Sequence, residues 1–205
     1  MNETPLQKIM RNRRSIRRFL ETPVDREKIM VCLEAALLAP SADNVRPWRF
    51  LVVDEPELKS KLCAAAFSGI FSFSKFAAQA PVMIVMLDRP DFKVGTLGKM
   101  IRRVAFDMID IGIAGEHIVL QAEELGLASC WIGWFNEKKL RKALKIPRKY
   151  KIVALLPLGY AKSRPSRSPA RKSIEEVAWF NSFKEEPESE SKEISSTEEA
   201  DNYGL

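Results

Sequence analysis

The residues from 103 to 125, RVAFDMIDIGIAGEHIVLQAEEL, constrain the fold more than any other part of this sequence. Their apolar side chains recur at helical spacing and cover most of the helix circumference, not only one stripe. A helix of this kind is stable in water only when other elements surround it. The segment therefore predicts a helix in the centre of the fold or at a subunit interface, with Gly126 as its C-cap.

Shorter apolar runs predict strands on both sides of this helix. RFLVVD, APVMIVMLD and KIVALLPLGY have the length of strands, and LASCWIGWF reads as a further buried segment. Helix start signals are found at Thr4 with Pro5, at Asp25, at Pro56, at Asn136, and at the capping box of Ser173 and Glu176. The alternation of helices with about four strands predicts α/β or α+β layers.

The charge of the chain is segregated between its body and its C-terminal end. The whole chain carries a net charge of +6, but residues 184–205 have a net charge of −6, which leaves +12 on residues 1–183. This acidic tail is Ser-rich and nearly free of large apolar residues, so it is predicted to be disordered. The basic body predicts one domain with an anionic partner, but charge alone does not distinguish DNA from a phosphorylated cofactor.

Several classes of protein are disfavoured by what the sequence contains. Cys32, Cys63 and Cys130 are far apart and match no zinc or disulfide pattern, and the only histidine, His117, lies in an apolar helical pattern. No secretory segment opens the chain, and no apolar run reaches the roughly 18 residues that a membrane span needs. These features predict a reduced, cytoplasmic protein with no membrane partner, no metal site and no histidine-based triad.

The stretch RNRRSIRRFL, residues 11–20, places five arginines in ten positions. Such a cluster repels itself unless an anion neutralises it. It is compatible with a solvated basic surface, with a nucleic-acid patch, or with a pocket for a single phosphate. The third interpretation has a specific physical basis, because arginine donates in a planar fork to phosphate oxygens and Ser15 adds a hydroxyl donor between the arginines.

Four segments occur in a fixed order: RRSIRRF, APSADNVRPWRF, GLASCWIGWF, and LGY followed by RKSIEEV. Together they resemble the FMN-dependent nitroreductase family, over about residues 5 to 183. The resemblance implies an α+β, three-layer fold with a mixed, mostly antiparallel central sheet flanked by helices. It also implies a domain of residues 1–183, with the tail of residues 184–205 outside it, and a homodimer with FMN at the subunit interface.

The resemblance further implies which residues bind the cofactor. The element for the FMN phosphate and the nearby ribityl chain matches Arg13, Arg14, Ser15 and Arg17, and a basic pair that returns to the phosphate matches Arg171 and Lys172. The loop that reaches the flavin of the other subunit matches Pro40, Ser41 and Asn44. The stretch against the isoalloxazine ring matches Cys130, Trp131, Ile132 and Gly133. The backbone N–H of Gly133 is expected to face the flavin N5, and Gly159 is expected to lie beside the cofactor.

The sequence departs from the family pattern at three positions. Arg46 stands where many members have glutamine, and it adds a cation close to the flavin or the substrate entrance, which would favour an anionic substrate. Ser72 falls where many members have an asparagine that contacts the pyrimidine edge of the flavin, and Ala128 replaces a common glycine. The large side chains of Trp48 and Trp131 are predicted to pack in the core and not on the flavin. The segment PDFKVGTLGKM, expected to form the substrate-facing wall, contains no recognisable motif.

The function implied by the resemblance is a flavin oxidoreductase. NADH or NADPH would reduce FMN by hydride transfer and leave, and a nitroaromatic, a quinone or a similar acceptor would then take the electrons in ping-pong order. No catalytic side chain is needed, since the flavin does the chemistry. Two alternatives remain: a specialised flavin reaction such as reductive dehalogenation on the same fold, and a cofactor-free basic protein that binds nucleotides or nucleic acid.

Overall fold

The computed structural model describes residues 2–90, 104–165 and 170–183. The chain divides into two compact units, Met1–Pro165 and Ser166–Leu205. The helices of the first unit are α1 (Pro5–Asn12), α2 (Arg26–Leu37), α3 (Pro56–Ala66), α4 (Phe106–Glu124) and α5 (Glu137–Ala143), with 3-10 segments at Ala42–Asn44 and Gly69–Gln79. Its strands are β1 (Trp48–Val53), β2 (Val82–Asp88), β3 (Ala128–Ser129) and β4 (Lys151–Gly159).

The four strands form one antiparallel sheet in the order β1-β2-β4-β3. Strand β2 lies inside the sheet, and every one of its residues is buried. A single parallel bridge joins Ser15 to Ser129 at the β3 edge, so the strand pairing is mixed there. These observations confirm the predicted α+β class with a mostly antiparallel central sheet.

Successive side chains of β2 point to opposite faces of the sheet, and all of them are buried. Helices therefore cover both faces. Val82, Ile84 and Met86 pack in the cluster that contains α2 and α4. Met83, Val85 and Leu87 pack in the cluster that contains α3 and α5. The result is the predicted three-layer arrangement, and residues on most sides of α4 are buried, as its sequence indicates.

Helix α4 is held in the first layer by packing and by one polar contact. Nδ1 of His117 lies 3.0 Å from the carbonyl oxygen of Ala35 and joins α4 to α2. Gly126 has a φ of 74° just after the helix, and the N–H of Leu127 donates to the carbonyl of Ala122 at 2.8 Å, so the predicted glycine cap is confirmed. Among the described residues, no helix is both long and apolar enough to cross a membrane.

The prediction of a final helix at Ser173 is wrong for the described residues 170–183 of the second unit. The N–H of Ser173 donates to the carboxylate of Glu176 at 2.5 Å, but only a turn follows. Apolar residues of this stretch, including Ile174 and Phe180, are exposed. Since most helix stability comes from packing an apolar face, a capping signal without such packing produces only a turn.

Two other predictions concern residues outside the described part of the chain. They are the disordered tail at residues 184–205 and most of the expected substrate-facing wall, from residue 91 onward. The assignment of one domain to residues 1–183 also stays a prediction.

Candidate active site

The arginine-rich segment lies against strand β3. Arg13 ends helix α1, and the chain then continues in an extended conformation. The N–H of Ile16 donates to the carbonyl oxygen of Ser129 at 3.0 Å. Ile16 and Phe19 are buried in a small cluster with Ala128, and they hold the segment in place. The polar and charged residues between these anchors are left toward the surface.

We call Arg13, Arg14, Ser15 and Arg17 the basic corner. Nε of Arg13 lies 3.9 Å from Oε1 of Glu116 on α4, and Nε1 of Trp131 donates to Oε2 of the same glutamate at 3.3 Å. The guanidinium carbon of Arg17 lies 5.9 Å from the centre of the Phe76 ring. Both arginines are therefore oriented by neighbours that come from other parts of the sequence.

Three side chains of the basic corner, those of Arg13, Ser15 and Arg17, are near enough to the buried thiol of Cys130 to affect its pKa. Burial raises the pKa of this thiol, while the charge of Arg17, a hydrogen bond with the Ser15 side chain and the charge of Arg13 act to lower it. Two guanidiniums and one hydroxyl thus act on a single point next to β3. This donor set is suited to an anion with several oxygens, such as a phosphate group.

The stretch that follows Cys130 alternates between packing and exposure. A Cβ added to Gly115 of α4 would overlap the ring of Trp131, so this ring packs closely against the helix. Ile132 is buried and exchanges both backbone hydrogen bonds with Leu155 of β4, at 3.0 and 2.9 Å. Gly133 is exposed, and a Cβ added there would meet no atom within 4 Å. Of the four predicted ring-contact residues, Gly133 is the one with open space in front of its backbone.

The residue Ser72 is exposed on the 3-10 segment Gly69–Gln79. This segment lies beside Trp134, because Nε1 of Trp134 donates to the carbonyl of Ile70 at 3.3 Å and Oγ of Ser74 donates to the carbonyl of Trp134 at 3.3 Å. The segment that carries Ser72 therefore contacts Trp134, the residue that follows Gly133.

The residue Gly159 has a packing explanation of its own. It pairs with Ala128 across the β3–β4 ladder and is buried. A Cβ at this position would lie 2.5 Å from Cδ of Pro81 and 3.4 Å from Cδ1 of Phe19. The close approach of the Pro81 ring requires glycine here, and the role of Gly159 beside the cofactor stays a prediction.

The loop with Pro40, Ser41 and Asn44 is anchored to the beginning of α4. The N–H of Ala42 donates to both carboxylate oxygens of Asp110, at 3.1 and 3.3 Å. Burial raises the pKa of Asp110, the hydrogen bond from Ala42 lowers it, and the charge of Asp107 raises it further. Asp110 and Glu116 are six residues apart on α4, or about 9 Å along the helix axis. Within one chain the loop and the basic corner are thus anchored at separate points of the same helix.

Two predicted residues, Arg171 and Lys172, belong to the second unit, where both are exposed. Their contact with the phosphate stays a prediction. Within the described residues, no group of three or more His, Cys, Asp or Glu side chains could hold a metal ion, and Cys32, Cys63 and Cys130 are free and buried.

The sequence alone did not reveal Asp110, Glu116 or Phe76 as parts of the site. The available signal was that Asp110 and Glu116 are acidic positions in a helix that is otherwise mostly apolar. Such residues are rarely buried in a core unless they have partners. Phe76 carries no comparable signal, because an aromatic residue in an apolar segment is normal.

Comparisons with known proteins agree with this architecture. The model of the Nitroreductase family matches residues 10–75 and 71–160. An NADH dehydrogenase from Thermus thermophilus is 30% identical over 72% of this chain and 82% of its own length. An iodotyrosine deiodinase from Drosophila melanogaster is 30% identical over 77% of this chain and 62% of its own length. The structure of an FMN-dependent nitroreductase from Clostridium difficile R20291 is 31% identical, with a TM-score of 0.68, and covers 85% of this chain and 98% of that one.

Proposed function

Because the chain belongs to the nitroreductase family, we propose that it is an FMN-dependent oxidoreductase with NADH or NADPH as electron donor. The observation that carries the proposal is the arrangement of Arg13, Ser15 and Arg17 around Cys130, three residues before the open backbone of Gly133. Donors suited to a phosphate group and open space at a backbone position thus both lie beside residues 130–133. These are the two features that a phosphorylated ring cofactor requires.

The residues present fit FMN at its phosphate end. A phosphate monoester carries close to two negative charges and several acceptor oxygens, which two guanidiniums and a hydroxyl can neutralise and bind. Arg13, Ser15 and Arg17 would hold the phosphate, and Arg14, half-buried beside Arg13, would extend the same donor set. The geometric support is that Glu116 and Phe76 orient Arg13 and Arg17 before any ligand arrives.

The ring end of the proposed site depends on backbone and small side chains. When bound, FMN supplies the ability to accept a hydride and to pass electrons on. Gly133 would offer a backbone N–H and leave room for a second planar molecule, and Ser72 would lie at the pyrimidine edge. The ring of Trp131 packs against Gly115 of α4 and thereby supports the segment that carries Gly133. No side chain needs to act as a nucleophile or as a metal ligand.

We propose that the donor and the acceptor use this open surface in turn, which makes the reaction ping-pong. The acceptor would be a nitroaromatic, a quinone or a similar planar compound that stacks where the nicotinamide had been. The proposed homodimer is supported by exposed apolar side chains at the end of α2, where Leu37 and Leu38 are 61% and 82% exposed. A partner protomer would cover them and bring its Pro40, Ser41 and Asn44 to the cofactor.

The proposal is tested by purifying the full chain and analysing the bound cofactor. We expect a yellow protein that releases FMN on denaturation and that oxidises NADH or NADPH when a quinone or a nitroaromatic is added. A colourless protein that takes up no FMN and binds DNA with a steep dependence on salt concentration would overturn it in favour of a basic nucleic-acid-binding protein.

A second candidate function is reductive dehalogenation on the same fold. The observation that favours it is the 30% identity with an iodotyrosine deiodinase over 77% of this chain. Both functions require the same cofactor site, so they differ only in the substrate. Incubating the reduced protein with iodotyrosine and, separately, with a quinone distinguishes them, because release of iodide identifies the dehalogenase.

A further inference from the structure

The surface formed by helix α5 and the turn after it carries more than half of the net charge of the basic body. Residues 136–151 contain eight lysines or arginines and one glutamate, a net charge of +7 out of the +12 on residues 1–183. Lys138, Lys142 and Lys145 are all exposed there, and we call these three residues the lysine stripe. We propose that the lysine stripe is a docking surface for the anionic headgroups of a lipid bilayer. The inference does not depend on the proposed function.

The lysine stripe lies on the side of α5 that faces away from the core. Lys138 and Lys142 are four residues apart and therefore share one face of the helix, and Lys145 follows three residues later. Leu140, between them, is fully buried and packs in the cluster that contains α3. The stripe extends over about 10 Å along the helix axis. Its three ammonium groups thus form one continuous cationic edge.

Two lysines of the stripe occupy positions that are unfavourable for helix stability. Lys138 is in the first turn of α5, where the helix dipole disfavours a cation. Lys145 has a φ of 53° just after the helix cap, a position that glycine usually occupies. The N–H groups of Lys145 and Ile146 donate to the carbonyls of Lys142 and Arg141 at 3.4 and 3.0 Å, which is the common helix-ending pattern with lysine in place of glycine. Helix stability therefore does not explain these lysines.

The stripe has no counter-charge of its own within the described part of the chain. Glu137 is the only acidic residue in the stretch, and its carboxylate pairs with Arg141 at 2.6 Å. The three stripe lysines form no ion pair with any described carboxylate. Like charges at this spacing repel each other, and an anionic partner outside the chain would offset the repulsion.

The composition of this surface favours a bilayer over a nucleic acid. Residues 137–149 contain no aromatic, asparagine or glutamine side chain that could stack on a base or bind a base edge. The stripe consists of lysines only, whereas arginine is the residue that grips nucleic-acid phosphates bidentately. Recognition by charge alone is how polybasic surfaces bind anionic bilayers. The expectation of no membrane partner was based on the lack of a spanning segment, and a contact with headgroups needs no such segment.

The proposed dimer contact leaves the lysine stripe accessible. Leu37 and Leu38 belong to the end of α2, and the loop at residues 40–44 is tied to α4 through Asp110. Helices α2 and α4 pack on one face of the sheet, whereas α5 packs with α3 on the other face. The stripe and the proposed dimer contact are therefore on different layers of the fold.

The inference is tested by sedimenting the full chain, with any cofactor it retains, with lipid vesicles. Vesicles of phosphatidylcholine mixed with phosphatidylglycerol are the anionic probe, and vesicles of pure phosphatidylcholine are the neutral one. We expect binding to the anionic vesicles to be at least about tenfold tighter and to weaken as salt is added. Replacing all three stripe lysines by glutamine should weaken it about 100-fold. The matched control replaces Lys8, Arg18 and Lys162, three exposed cations elsewhere, by glutamine.

A single variant separates docking from stability. Lys145→Gly places the preferred residue at the left-handed position, so it should melt no lower than the wild-type chain. It should nevertheless weaken binding to the anionic vesicles about fivefold.

Three outcomes would overturn the inference. The first is equal binding to the anionic and neutral vesicles. The second is that the stripe variant binds anionic vesicles no more weakly than the control variant. The third is that the stripe variant loses binding to a short DNA duplex but keeps its vesicle binding, which would assign the stripe to nucleic acid.

Discussion

The basic corner and the stretch that carries Arg46 and Arg49 both place arginines at a surface, but the two regions are built in different ways. The basic corner depends on contacts between distant parts of the chain: Ile16 with Ser129, Arg13 with Glu116, and Arg17 with Phe76. Within the described part of the chain, the guanidiniums of Arg46 and Arg49 donate only to residues between Asn44 and Trp48. The arginine motif of residues 11–20 indicated the basic corner, but its long-range contacts form only after the layers of the fold have assembled, whereas the contacts of Arg46 and Arg49 are local in the chain.

The largest expected effect is the loss of FMN binding when an arginine of the basic corner is removed. Arg17→Ala or Arg13→Ala should weaken FMN binding about 10- to 100-fold, since each removes a charge-assisted hydrogen bond to the phosphate. Fluorescence titration of the FMN-free protein measures this. Arg18→Ala is the matched control, because Arg18 is exposed in the same segment. Equal loss in the control would show that general charge and not this corner binds FMN.

The second largest expected effect is a loss of stability when the tightly packed Gly159 is replaced. Gly159→Ala places a Cβ 2.5 Å from Cδ of Pro81, and we expect it to lower the free energy of unfolding by about 1–3 kcal/mol. Gly133→Ala meets no atom within 4 Å, so stability should be unchanged within about 0.5 kcal/mol. Urea unfolding of both variants measures the difference. Equal destabilisation would contradict the assignment of Gly133 to an open surface.

A smaller effect concerns the anchor of the loop that carries Arg46. Because burial raises the pKa of Asp110, the folded chain binds a proton at this carboxyl more tightly than the unfolded chain does. The stability that the carboxyl contributes is therefore fully present at low pH and is lost as the pH rises through the raised pKa. Relative to Asp110→Asn, which does not titrate, the wild-type chain should gain stability as the pH falls from 7 towards 4. Urea unfolding at several pH values measures this, and a constant difference would contradict it.

The smallest effect sharpens the role of Glu116. Glu116→Gln keeps an acceptor for Nε1 of Trp131 but removes the negative charge next to Arg13. Stability should change by less than about 1 kcal/mol, since the ion pair is partly exposed. FMN binding should become about two- to threefold weaker, because Arg13 loses the carboxylate that orients it. Tighter binding in this variant would show that Glu116 competes with the phosphate for Arg13 and does not position it.

Elements with a strong local signal were predicted correctly from the sequence. The apolar run of β2, the long helix α4 and the Asn136 cap all appear as expected. The 3-10 segment Gly69–Gln79 was not predicted, because its apolar residues follow no clear helix or strand period. The helix expected at Ser173 failed for the opposite reason: its start signal was present, but apolar side chains such as Ile174 and Phe180 stay exposed and are not packed in a core.

The sequence by itself determined most of the helices and strands, such as α4 and β2, and it carried the ordered motifs that identified the family. Both properties depend on residues close together in the chain, where side-chain period and capping act. Only the tertiary structure decided that Ser15 and Ser129 pair, that Arg13 and Trp131 share Glu116, and that Gly159 must admit the Pro81 ring. These contacts join residues far apart in sequence, and they form because the sheet and α4 bury their apolar surfaces in one particular arrangement.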